Sequence, residues 1–329
     1  MPCGWLRRNS MDLFTPVVSA HRQHPNFTNL LSDTDWDVRE VLSEWAEGFV
    51  DRDGKFVQEF QLTFNSCWWE LYLFAVLKSL GIEVDFSHDA PDFVASNARL
   101  AIEAVISSHA QGAKPEWRKT ISDIAGGQDI EQRYTETLAR LYNSLDAKRR
   151  LYQTRYSGLP HVKGKAYVIA VHNFSTPDSF QLGDVAMQRL LYDLEGRQSF
   201  LKNGEVSLPL GIFDRDEFTS VSAVIYSSLA TYGKVRALGK STADFIFQAA
   251  RIRNNWELIP ISANKKDYKE SLRDGLRVFH NPRADVPLPM SMFDVPDVRE
   301  FRIFKGQIHT SCHPDGDLCM RQVTRLKQV

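Results

Sequence analysis

Trp68-Trp69-Glu70-Leu71-Tyr72-Leu73-Phe74-Ala75-Val76-Leu77 is the stretch on which the fold turns: nearly all of it is apolar, and it carries a single acid. It is apolar on almost every side when wound as a helix, which is the pattern of a helix buried on most faces. The helical pattern extends from about Lys55 to Leu80 with a break near Asn65-Ser66, and Gly81 is a natural stop. Upstream, Val38, Val41, Leu42, Trp45 and Phe49 recur at helical spacing and predict an amphipathic helix over 36–49. Asp53-Gly54 marks the turn between the two. Downstream, Glu83–Phe86, Asp92–Ala95 and Leu100–Ile106 are short and β-rich, punctuated by Pro91 and Asn97. A polar loop (107–129), a helix from Ile130 to Tyr152 and an apolar strand from Ala166 to Val171 complete an α/β unit with a mixed sheet.

The acid in that apolar helix needs a reason. A buried carboxylate costs on the order of several kcal/mol unless it is neutralised, paired or bound to a metal. Twenty-two residues after Glu70 comes Pro91-Asp92-Phe93-Val94, and eleven later Ile102-Glu103-Ala104-Val105. If the two strands pair as a hairpin around Asn97, Asp92 and Glu103 fall near one another on one sheet edge. Convergent carboxylates are what a hard cation such as Mg²⁺ requires, and Glu70, Asp92 and Glu103 are the candidate ligands. Such an ion lowers the pKa of a water and stabilises charge on a phosphate in transfer.

The chain's 329 residues allow one large domain or two small ones. With 43% hydrophobic and 25% charged residues the composition is that of a globular protein. A formal net charge of −1 supplies no global field toward nucleic acid or an acidic membrane, so any such contact needs a local patch. Cys3, Cys67, Cys312 and Cys319 are too scattered for a disulfide framework and fit a reducing compartment. No apolar run approaches the roughly 20 residues of a membrane span, and Met1–Ser10 reads as an unpatterned extension rather than a signal peptide. The expectation is a cytoplasmic protein without a membrane partner.

Helical Glu70, Pro91-Asp92 and Glu103 in Ile102-Glu103-Ala104-Val105 resemble the PD-(D/E)xK nuclease superfamily, over roughly residues 55–175. The resemblance implies a restriction-endonuclease-like core: a central mixed sheet flanked by helices, at residues 51–180. An N-terminal extension and helix (1–50) would precede it, and a C-terminal α/β extension (181–329) would pack on it. It also implies cleavage of phosphodiester bonds, DNA above RNA, with Mg²⁺ or Mn²⁺ held by Glu70, Asp92 and Glu103. Dimers are frequent among nucleases of this fold, and prokaryotic DNA processing or defence is the setting that fold analogy provides. One departure matters: the family lysine, two residues after the second acid, is Val105 here. Lys148, on the helix that follows the acid strands, is the candidate replacement, and Lys165 the second. Two other readings stay open: a catalytically inactive nuclease-like module for nucleic-acid binding or assembly, and an α/β enzyme of other chemistry.

Other signals carry less. Arg140, Lys148, Arg149, Arg150, Arg155, Lys163 and Lys165 face one acid, Asp146, between residues 140 and 165; they form a phosphate-binding patch or a solvated helix face. Gly239-Lys240-Ser241-Thr242 resembles the end of a phosphate-binding loop, but the required earlier glycine position is Lys234. His309, Cys312, His313 and Cys319 lack a standard zinc spacing, and Pro314-Asp315-Gly316-Asp317 reads as a hairpin turn. His88, His109 and His172 flank the acid strands and the buried strand without an assigned role. Trp68 and Trp69 read as core. Farther on, the pattern predicts helices at 184–195 and 265–277, and strands at 220–226, 257–261, 300–308 and 317–323.

Overall fold

In the computed structural model the described residues are 11–109, 112–119, 130–176, 179, 183–193, 195–202, 206–241, 244–311 and 313–326. The chain enters through three helices, α1 (Pro25–Leu30), α2 (Trp36–Ala46) and α3 (Phe56–Leu62). The apolar segment is helix α4 (Asn65–Ser79), separated from α3 at Thr63-Phe64, next to the Asn65-Ser66 break that the sequence marks. Strands β1 (Phe93–Val94) and β2 (Leu100–Ser107) follow, then helix α5 (Ile130–Leu151) and strand β3 (Ala166–Asn173). The segment predicted as a strand at Glu83–Phe86 contributes only one antiparallel bridge, Val84 to Ala95.

The second half supplies α6 (Gly183–Tyr192), the hairpin β4 (Ser199–Lys202) and β5 (Val206–Pro209), β6 (Ala223–Ser227), α7 (Tyr232–Leu238), β7 (Phe245–Ile252) and β8 (Leu258–Asn264). It closes with β9 (Leu276–His280), β10 (Val298–Phe304), β11 (Gln307–Thr310) and β12 (Asp317–Arg325). A seven-stranded mixed sheet in the order β1-β2-β3-β6-β9-β10-β11 forms the centre. β2, β3 and β6 are parallel neighbours, whereas β1 pairs antiparallel with β2 and β9 antiparallel with β6. One continuous sheet thus draws strands from both sides of residue 180. β12-β7-β8 form a separate three-stranded sheet.

Strand alternation sorts the core into two layers. Leu100, Ile102 and Ala104 of β2, with Val168 and Ala170 of β3, pack against α2, α3 and α4. Ala101 of β2, with Tyr167, Ile169 and Val171 of β3, packs against Leu138, Leu141 and Leu145 of α5 and Met187 and Leu190 of α6. Glu103 falls on the α5 side by the same parity.

Helix α4 is pinned as well as packed. The fully buried Trp69 donates its indole N–H to the carbonyl of Ala170 at 2.9 Å, and Trp68 donates to Ala230 at 2.7 Å.

The helix predicted over 265–277 does not form. Those residues bend around buried cations and then enter β9. Lys234 of α7 and Arg321 of β12 both pair with Glu270, and Arg251 of β7 pairs with Asp274 at 2.7 Å. The Lys234 ammonium also donates to the carbonyls of Ser271 and Asp274, at 2.9 and 2.6 Å. Those carbonyls bind a side chain instead of a helical partner, and Gly275 at φ +83° turns the chain against Leu229, where a Cβ would come within 2.9 Å. The predicted strand 300–308 is likewise two strands of a hairpin, turned at Lys305-Gly306, both with positive φ.

Trp69→Ala is expected to destabilise the fold by about 3–5 kcal/mol, with Trp69→Phe losing less because the ring volume is largely kept. Urea unfolding followed by circular dichroism checks this; the midpoint should fall with the slope unchanged.

Candidate functional site

Glu103 lies in the middle of β2, between Ile102 and Ala104, and its side chain is 5% exposed. The pairing Phe93 with Ile102 makes Asp92 the residue opposite Glu103 at the sheet edge. Asp92 Oδ2 accepts the backbone N–H of Ala104 at 2.7 Å, which fixes its carboxylate against β2. Lys148 of α5 reaches across and donates from Nζ to Glu103 Oε1 at 2.6 Å. Tyr167 of β3 in turn donates its hydroxyl to the carbonyl of Lys148 at 3.1 Å and so ties the helix to the sheet beside the ion pair.

Glu70 arrives from the opposite layer. It shares a cleft of about 440 Å³ with Asp92, Asp89, Glu59 and Arg52. Arg52 is held there by a 2.6 Å hydrogen bond to the carbonyl of His88.

Burial dominates the electrostatics. It pushes the Glu70 carboxyl up to about 8, with the charge of Asp92 adding to the rise and Arg52 opposing it. Burial and the neighbouring Glu103 push Asp92 up to about 7, against the pull of the Ala104 N–H, Lys148 and Arg52. Both carboxyls therefore hold protons well above their ordinary range. Glu103 Oε2 is buried without a hydrogen-bond partner. Tyr156 and Tyr167 stand beside Glu103, and burial together with its charge raises both phenols.

The acids thus form a row: Glu103 on the α5 face with a lysine, Asp92 at the edge, and Glu70 on the α4 side with an arginine. Among the described residues no three His, Cys, Asp or Glu side chains close into a single metal cage. The donor set nevertheless suits a hard cation, since Mg²⁺ is commonly held by one or two carboxylates plus water, and Glu103 Oε2 lacks a partner.

The other sequence signals fall elsewhere. Lys165 donates to the carbonyls of Ala95 and Ala98 at 2.8 and 3.1 Å and braces the β1–β2 turn. Of the basic stretch, Arg149 and Arg150 both pair with Asp146, and Arg140 binds the carbonyl of Ser108, while Arg155 and Lys163 are exposed. His172 is fully buried between Trp69 and Phe174; burial pushes its pKa down to about 3, so it is neutral. His88 stacks on His161 at 3.7 Å.

Gly239 follows α7 and precedes β7, a helix-to-strand order, whereas a phosphate-binding loop runs from strand to helix. Thr242 of that string and Cys312 of the His/Cys set lie outside the described residues, and Cys319 donates its thiol to the Ala250 carbonyl at 3.3 Å. Trp68 and Trp69 are core.

Sequence reasoning passed over Arg52, Tyr152 and Tyr156. Tyr152 and Tyr156 lie four and eight residues after Lys148, so all three share a helix face, with a π turn over Tyr152–Tyr156. Tyr152 stacks on Tyr167 at 4.3 Å. Arg52 sits in a turn, where no periodicity marks it. Comparison with protein-family models, curated proteins and solved structures finds no match.

The raised carboxyls make stability depend on pH with a definite sign. Glu70 and Asp92 keep protons in the folded state that the unfolded chain releases near 4.5 and 3.8, so stability falls as pH rises from there through about 7 and 8. In metal-free buffer the melting temperature should be lower near pH 8.5 than near pH 5.5, and Glu70→Gln should shrink the difference. Thermal unfolding at both pH values decides it.

Proposed function

We propose that this chain is a metal-dependent nuclease of the PD-(D/E)xK type, cleaving phosphodiester bonds in nucleic acid, with DNA as the substrate class the resemblance implies. The observation that carries the reading is the lysine. Val105 occupies the family position, yet the ammonium of Lys148 stands 2.6 Å from the second motif acid, delivered by α5 instead of β2. A lysine moved to the neighbouring helix keeps its charge at the same carboxylate, and charge location, not chain position, is what the chemistry uses.

The order of elements supports the same reading. Helix α4 bearing Glu70 leads to the Val84 bridge, then β1, β2, helix α5, and β3 parallel to β2. A helical Glu, a strand pair and a later helix and strand are the arrangement on which the resemblance rests.

In this reading Asp92 and Glu103 hold Mg²⁺ or Mn²⁺, with Glu70 completing the acidic row across the cleft. The cation, once bound, neutralises phosphate charge and lowers the pKa of a water. Lys148 pins Glu103 through their 2.6 Å ion pair and would present its remaining N–H donors toward the scissile phosphate. Arg52 balances the negative charge on the Glu70 side, and Arg155 and Lys163 offer exposed cations to the backbone of the substrate. Arg149 is buried in its pair with Asp146, while Arg150 stays 69% exposed beside it.

Purified chain should cut plasmid or single-stranded DNA with added Mg²⁺ or Mn²⁺, and EDTA should stop it. Glu103→Ala and Lys148→Met should each reduce the rate by about 100-fold or more. Equal background nicking by wild type and Glu103→Ala would sink the nuclease reading; a salt-sensitive gel shift without cleavage would favour an inactive binding module.

A further inference from the structure

A second cleft, of about 770 Å³, opens away from the acid row. Its wall is built where three adjacent parallel strands end: Glu116 and Trp117 follow β2, Asn173 ends β3, and Tyr232 lies beyond β6. The crevice outside the carboxyl ends of parallel strands is where open α/β sheets bind small molecules, because side chains and loops there are free of the sheet's own pairing. The volume is that of a small-molecule site.

Its lining has two chemical parts. Flat rings form the first: the half-buried Tyr232 and Trp117 present ring surface, backed by the buried Trp68, stacked on Tyr232 with centroids 5.9 Å apart, and by Phe64, 5.3 Å from Trp68. The second part is a carboxylate. Glu116 is 9% exposed, its Oε1 accepts from Asn65 Nδ2 at 2.5 Å, and its buried Oε2 has no hydrogen-bond partner. The imidazole Nδ1 of His109 lies 3.8 Å from that oxygen, beyond hydrogen-bond reach. Burial raises the Glu116 carboxyl, against the pull of the Asn65 hydrogen bond and of Lys119. A buried acceptor left open is costly, and a ligand that donates to it gains what the protein alone does not provide.

We propose that this cleft binds a free guanine nucleotide, its ring against the aromatic wall and its N1–H and 2-amino edge on Glu116. Guanine is the nucleobase whose pairing edge sets two donors side by side, one for the open Oε2 and the other for the second lone pair of Oε1, beside the Asn65 bond. Adenine and cytosine place a ring acceptor beside a single amino donor, so a lone pair would meet the carboxylate; uracil flanks its one N–H with two carbonyls. Arg325 at the rim, exposed and donating to Thr34 Oγ1 at 3.3 Å, supplies a cation for the phosphate. The site uses none of the acid row and stands independently of the nuclease reading.

The test is a calorimetric titration of the full chain with GMP, AMP, CMP and UMP in metal-free buffer, so that failure of cleavage leaves it intact. Quenching of tryptophan fluorescence gives a second readout. GMP should bind about tenfold or more tighter than the other three. Glu116→Gln, which keeps the shape but turns a donor toward the ring edge, should weaken GMP by about tenfold or more while circular dichroism and melting stay near wild type. Trp117→Ala, at a half-buried position, should weaken GMP as well. No heat with any nucleotide, AMP binding as well as GMP, or undiminished GMP binding by a folded Glu116→Gln each overturns the proposal. Tighter binding of a guanine-containing single strand than of GMP overturns the assignment to a free nucleotide.

Discussion

A carboxylate taken out of water must find cations or N–H donors, and this chain buries many of them. Where the structure meets the demand in full, the result is architecture. Glu270 receives both Lys234 and Arg321, Asp274 receives the forked guanidinium of Arg251, and Asp184 receives Arg277. These pairs join α7, β7, β12 and the approach to β9, so the three-stranded sheet and the central sheet are fastened by charge as well as by Leu229 and Phe247. Breaking such a pair from one side strands the other charge, which is why buried ion pairs enforce a single arrangement even when they add little net stability.

The same demand is met only in part at two places. Glu103 has Lys148 on one oxygen and an unpartnered second oxygen, while burial, with the neighbouring acids adding to it, raises the Glu70 and Asp92 carboxyls. Glu116 has Asn65 on one oxygen and no hydrogen-bond partner on the other, with the His109 ring 3.8 Å away. Incomplete neutralisation inside an otherwise well-paired protein is stored free energy that an external group can release. At the acid row the deficit is several buried carboxyls that ionise only at a cost, which calls for a cation to take the place of their protons. In the second cleft it is one acceptor on a residue that shares its lining with aromatic rings, which calls for a flat donor. Ligand chemistry is read from the kind of deficit.

How much of this the sequence reveals follows from the range of the interactions. Helix α4, strand β2 and strand β3 are legible because local periodicity and an unbroken apolar run express their burial directly. Lys148 is legible as a basic residue on the helix that must pack beside the acid strands. The Glu83–Phe86 segment keeps a strand composition but forms only the Val84 bridge, beside the two-residue edge strand β1. Residues 265–277 have a helical pattern, yet their carbonyls are claimed by Lys234, some forty positions earlier, and no local rule anticipates that. Glu116 and Trp117 sit in a loop without periodicity, and their importance appears only when three strand ends bring them to Asn65, Trp68 and Tyr232.

Helix α4 joins the two deficits. Trp68 lines the aromatic cleft, Trp69 is bolted to β3 through the Ala170 carbonyl, and Glu70 faces the acid row, so three consecutive residues address three surroundings. Asn65, one turn earlier, holds Glu116. A rotation of α4 about its axis large enough to withdraw Glu70 from Asp92 would also pull Trp68 from Tyr232 and stretch the Trp69 bond. The helix is apolar on nearly every side and close-packed, and such a surface yields in discrete repackings more readily than in small continuous shifts. The two clefts are thus built on one rigid part whose position neither can alter alone. Any free-energy coupling between their occupants has to pass through that helix as a choice between whole packings, because a ligand shifts an equilibrium only by its different affinity for the states available.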